Sequence, residues 1–135
     1  SLAAQTADIV GINPAARSGA HDAETDLDSK ADVTDEKLRW IAEAAGARMD
    51  ELELCMQVYA DGLTPSRAEG DRILAARYAF SLEQAREVPY AWVGSLDEIC
   101  EGLEVKRERW GVSYWIVPEH AMETMAPVVA RMSGR

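Results

Sequence analysis

Short unbroken apolar runs alternate along this chain with stretches of helical period, and that alternation predicts its elements. SLAAQTAD reads as the last turns of a helix with no N-cap ahead of it. ADIVGIN, Ala7 to Asn13, is an apolar run closed by Asn13 and Pro14, as expected of a strand buried on both faces. PAARSGAHDAETDLDSKADV carries no period and predicts a loop. Thr34 is placed to cap DEKLRWIAEAAGARM, where Leu38, Ile41, Ala42 and Ala45 form one apolar stripe and Gly46 supplies a stop. LELCMQVYA, Leu52 to Ala60, is the second strand. Thr64 and Pro65 open a helix running to about Phe80, with Pro at its first position, where the missing N–H costs nothing.

Ser81 begins a shorter helix, LEQAREV, which Pro89 closes. VPYAWVG is an apolar run leading into Ser95, the cap of LDEICEGLEVKRERW, with Leu96, Ile99, Cys100 and Leu103 on one face. Gly111 ends that helix and VSYWIVP is the third strand. EHAMETMAPVVARM closes the chain as a helix bent or restarted at Pro127. Strands alternating with helices, each strand apolar enough to be buried, imply an α/β fold with parallel strands and right-handed crossovers. Three strands alone leave two open edges and give their helices little to cover.

Composition narrows the function. A chain of 135 residues suits one domain, here residues 1–135, and 47% hydrophobic with 28% charged residues is ordinary for a globular protein. The net charge of −10 argues against nucleic acid and against an anionic membrane surface, both of which need clustered Lys and Arg. The longest apolar runs are too short to span a bilayer. No basic and apolar targeting segment opens the chain, so a cytoplasmic location is expected. Cys55 and Cys100 lie far apart, in a strand-like and a helix-like segment, and read as two buried thiols.

The candidate chemistry is sparse. From Asp22 the acidic alternation matches a calcium loop in part, but it lacks the sixth-position glycine and the twelfth-position glutamate. His21 and His120 have no partners at metal spacing, so no metal site is expected. Lys106, Arg107 and Arg109 suit a helix C-terminus. The four tryptophans, Trp40, Trp92, Trp110 and Trp115, read as core and interface filling. Gly94 and Ser95 form a helix start of the kind that attracts anions. Ser95 and Glu98 also make an S-x-x-E capping box, which uses two of the free donors, and Asp97 and Glu98 place negative charge there already.

Taken in order, AAQTADIVGIN, VTDEKLRWIAEAAGARMDELEL, VPYAWVGSLDEICEGLEVKRERWGVSYWIVP and MAPVVARMSG resemble the C-terminal part of the luciferase-like monooxygenase superfamily. Within it they are most similar to the branch of probable F420-dependent oxidoreductases. The resemblance implies a partial (β/α)8 TIM barrel: the last three strands with their helices and the end of a preceding helix. Such barrels run to about 250 residues. It also implies a parent enzyme that uses coenzyme F420 or FMN. The first five strands, with the non-proline cis peptide and the glycine-rich strand end near the cofactor phosphate, have no counterpart here, so the chain is expected to be inactive alone.

Chemistry in such barrels gathers at the C-terminal strand ends. That singles out Asn13, then Tyr59 to Asp61, then Pro118 to His120. By the resemblance, Asn13 faces the cofactor tail and bonds a phosphate or ribityl oxygen; by turn chemistry alone, Asn13 and Pro14 end the strand. Gly94 and Ser95 are the other cofactor candidates, and no catalytic residue is assigned. Ala15 to Val33 would be a solvated lid on the same face. The partners expected are the missing N-terminal part of the barrel or further copies of the chain. A non-catalytic partial-barrel module acting through oligomerisation, and an α/β small-molecule-binding domain outside this family, stand as alternatives.

Overall fold

A computed structural model describes residues 2–15 and 22–134. The fold is mixed α/β with two small parallel sheets. Helix α1 (Leu2–Thr6) leads into β1 (Ile9–Gly11), followed by α2 (Ala23–Asp28), α3 (Ala31–Ala45) and a 3-10 turn, Gly46–Glu51. Next come β2 (Glu53–Gln57), β3 (Ala60–Leu63), α4 (Arg67–Arg77), α5 (Leu82–Arg86) and β4 (Ala91–Gly94). Helix α6 (Leu96–Trp110), β5 (Val112–Ile116), a 3-10 turn, Glu119–Ala121, and α7 (Met122–Met132) complete the chain.

The three strands expected from sequence form one sheet in the order β1-β2-β5, all parallel. Gly11, Cys55 and Tyr114 share one rung across it, and Gln57 sits opposite Ile116. A second sheet pairs β3 with β4, and sequence reading missed both strands: each has only four residues, too few to show a period. A single run of backbone feeds both sheets. Beyond Gln57, the Val58 N–H donates to Ile116 O, whereas the Tyr59 and Ala60 N–H groups both turn to Tyr90 O.

Alternation along the strands sends Val10, Ile12, Leu54, Met56 and Val112 into a core built with Ala4 of α1, Ile41 of α3, Leu74 of α4 and Trp110 of α6. A second, smaller core gathers Val58 and Trp92 with Ile99 and Leu103 of α6 and Met125 and Val128 of α7. Most of the opposite face of β1-β2-β5 is open, although Cys55 at its centre is buried. Ile9 is 48% exposed, and Tyr114 and Ile116 are 44% exposed. This corrects the expectation that the first strand is buried on both sides: helices dress only one of its faces. Cys55 and Cys100 are both buried free thiols, as their spacing suggested.

Several local signals act as read. Ser81 caps α5 through Gln84 N–H. Ser95 and Glu98 form the full capping box of α6, and Gly111 closes that helix in the left-handed region at φ 67°. Others act differently. The segment expected to be a loop contains α2, whose N-cap Asp22 accepts from the Thr25 N–H. Helix α3 begins at Ala31, so Thr34 lies inside it, buried, its hydroxyl donating to Lys30 O instead of capping. Helix α4 begins after Ser66, leaving Pro65 ahead of it. Helix α7 runs unbroken through Pro127. His21 and residues 16–20 of the expected lid lie outside the described residues. Among the described residues no helix is long and apolar enough to cross a membrane.

Candidate functional site

The C-terminal ends of the strands hold the candidate residues, each positioned by its own element. Asn13 follows β1 and is exposed. Its Oδ1 accepts the Gln57 N–H at 3.3 Å, tying the end of β1 to β2. Its Nδ2 lies 3.6 Å from where a Cβ on Gly11 would stand, over the uncovered sheet face. Its carbonyl accepts from Lys37 Nζ at 3.0 Å. Lys37 also reaches Asp28 Oδ2 at 2.5 Å, and that same oxygen accepts the Ala15 N–H at 2.6 Å. The Asp28–Lys37 pair therefore ties the start of the segment expected to be a lid to the end of α2 and to α3.

Tyr59 is half-buried and meets Tyr90 edge to face, ring centres 5.9 Å apart. Burial raises the pKa of both phenols. The fold brings Asp61 and His120 together across 59 residues of sequence, with Oδ1 and Nε2 at 2.9 Å. Nothing in their spacing announced the contact, because it depends on β3 carrying Asp61 beside the turn that follows β5.

Gly94 and Ser95 belong to the other sheet, and their neighbours are Arg67, Gly70 and Glu98. The Ser95 N–H donates to Glu98 Oε2 at 3.0 Å, and the Ser95 hydroxyl accepts the Glu98 N–H at 3.3 Å. Arg67 Nε adds 2.7 Å to Glu98 Oε1. The Ser95 amide, its hydroxyl and then Arg67 hold the Glu98 carboxyl below the usual range. A pocket of about 230 Å³ opens here between α4, α5 and the start of α6. Its second arginine, Arg86, is spent on Asp71 through two bonds of 2.8 and 2.6 Å. Each arginine facing the pocket already has a carboxylate, and two donors at the start of α6, the Ser95 and Glu98 N–H groups, are taken by its own cap.

Two basic residues at the end of α6 do more than complement its dipole. Arg109 grips Asp35 of α3 with bonds of 3.1 and 2.6 Å, and Trp110 Nε1 donates to the same carboxylate at 2.7 Å. Lys106 turns inward: Nζ donates to Ala91 O at 2.6 Å and lies 5.7 Å from the centre of the Trp115 ring. Burial lowers its pKa to about 7. Of the four tryptophans, Trp92 and Trp110 are buried and Trp115 packs against both cores. Trp40, on α3, lies outside both cores and is 51% exposed. Among the described residues no group of three or more His, Cys, Asp or Glu side chains is placed to hold a metal. No protein-family model, no curated protein and no solved structure matches the chain.

Proposed function

We propose that this chain is the C-terminal arc of a luciferase-like (β/α)8 barrel, and that its parent is an oxidoreductase using coenzyme F420 or FMN. The observation that supports this best is the half-dressed sheet. Its strands are parallel and keep their chain order across the sheet, β3 and β4 being set apart in the second sheet, with helices against one face and Ile9, Tyr114 and Ile116 bare on the other. All-parallel sheets are normally covered on both sides. A barrel covers the second side with its own remaining strands and winds without reversing strand order. The small β3–β4 sheet is then part of the crossover between the seventh and eighth strands.

When bound, the flavin or deazaflavin supplies the hydride chemistry. Of this chain's candidates, Asn13 fits such a group, since Nδ2 can donate over the open face. Gly94 and Ser95 do not fit its phosphate, because Glu98 and the capping box already occupy that helix start. The test is fluorescence titration of F420 and of FMN against this chain and against a protein carrying the five preceding strands. Binding by the longer protein only is the expected result. Micromolar binding by this chain alone overturns the need for those strands, and no binding by either overturns the oxidoreductase reading.

The same exposed apolar face favours a second reading, a non-catalytic partial-barrel module that covers itself by oligomerisation. Light scattering at high concentration decides it: a strict monomer removes this reading.

A further inference from the structure

The Asp61–His120 contact has the parts of a working pair. Asp61 is fixed by the β3–β4 ladder, in which its register partner is Trp92. His120 is fixed by the 3-10 turn ahead of α7, whose next residue, Ala121, is buried in the smaller core. The carboxylate is 19% exposed and the imidazole 72% exposed. A carboxylate without its proton only accepts, so the nitrogen facing it is the N–H donor, and in the neutral ring the lone pair falls on Nδ1. The exposed part of the ring therefore offers its basic nitrogen.

A second observation lies beside it. Trp92 is 3% exposed, and its Nε1–H has no hydrogen-bond partner among the described residues. Register puts the Trp92 and Asp61 side chains on the same face of the strand pair. Buried indole N–H groups usually find an acceptor, so this one is an unmet donor in the core behind the strand that carries Asp61. The surroundings also select. Glu119 is exposed next to His120, Asp61 is its partner, and the chain carries −10, all of which repel an anionic ligand.

We propose that Asp61 and His120 form a proton-transfer couple in which His120 Nδ1 is a general base toward an uncharged small molecule carrying an acidic O–H. Asp61 is the positioning residue, fixing the tautomer and the ring. The couple stands in this chain by itself, requires no cofactor, and goes beyond the oxidoreductase reading.

The probe is p-nitrophenyl acetate, with water as the O–H compound. Nδ1 takes a proton from water as the oxygen adds to the ester carbonyl. The C–O bond to p-nitrophenolate breaks, acetic acid forms and gives up its proton to solvent as acetate, and the proton on Nδ1 also returns to solvent. The chain has two histidines, so nitrogen-15 NMR assigns both tautomers with His21 as internal reference. The expected result is the Nε2–H tautomer at His120, and an ester hydrolysis rate above that of the buffer. His120→Gln loses that rate several-fold, Asp61→Asn loses both the tautomer preference and part of the rate, and His21→Gln changes neither. A His120→Gln rate equal to the starting protein, or an unchanged tautomer and rate in Asp61→Asn, overturns the proposal.

Discussion

A Cβ placed on Gly70 would lie 3.1 Å from the Cα of Gly94, so α4 rests on β4 glycine against glycine. The obstacle is backbone, which a rotamer change cannot relieve. Gly70→Ala is expected to cost about 1–3 kcal/mol, the usual range for overpacking. Gly102, inside α6, has nothing within 4 Å of its would-be Cβ. Gly102→Ala should instead gain about 0.5–1 kcal/mol, through helix propensity. Urea midpoints of the two variants check the contrast, and shifts in the same direction would remove the close contact as its cause.

Lys106 gives the fold a pH dependence on the alkaline side. In the unfolded chain its amine holds a proton up to its ordinary 10.5, whereas the folded chain releases it at about 7. Between those values the unfolded state binds more protons, so raising the pH favours the folded state. Burial of the Cys55 thiol, whose ordinary value is 9.0, and of Tyr78, raised to about 12, acts in the opposite sense at higher pH. Stability should therefore climb from about pH 7 to about pH 9 and then stop climbing. Lys106→Met should flatten that climb in urea melts, and a climb that survives the substitution would assign it elsewhere.

Asp35 serves two donors on α6, and they are unequal. Arg109 is 41% exposed, whereas Trp110 is 5% exposed. Removing Arg109 should cost about 1 kcal/mol or less, as for other solvated ion pairs. Asp35→Ala should cost about 1–3 kcal/mol, because it also strands the indole N–H. Arg109, with Trp110 adding to it, holds the Asp35 carboxyl below its ordinary 3.8. That share of stability is present above 3.8 and disappears as acid protonates the folded form. Acid titration of wild type against Asp35→Ala reads it directly.

On the bare sheet face, Tyr114→Thr and Ile116→Thr keep strand-forming residues while removing apolar area. Each should change the urea midpoint little, within about 0.5 kcal/mol for a surface site. Self-association, or binding to a protein supplying the preceding strands, should weaken in both. Light scattering measures the first and titration calorimetry the second; undiminished association would move the interface off this face.

The sequence made legible what is written in neighbouring residues. Ser95, Glu98 and Gly111 bracket α6 within a single stretch, and the three apolar runs became the three strands of one parallel sheet. Thr34 misled because a hydroxyl that can cap a helix can equally bond back to the preceding turn, as it does to Lys30 O. Helix α2 was hidden because its acidic residues look like solvated loop, although Asp22 caps and Asp28 binds Lys37. In the candidate site, Asn13 was visible as a strand end. The Asp61–His120 contact and the inward turn of Lys106 were not, since each needs partners supplied by a different strand.

Val58, Tyr59 and Ala60 bind the two sheets into one piece of backbone: the first amide bonds to Ile116 and the next two to Tyr90. Separating β3 from β4 pulls on the strand that β1 and β5 flank, and melting that strand releases β3. The two sheets should therefore open as one cooperative unit in hydrogen exchange, with these three amides among the last to exchange. Because that unit needs β1, β4 and β5 from distant parts of the chain, folding has to close its longest loops before either sheet is complete, which makes the junction the slow step of assembly.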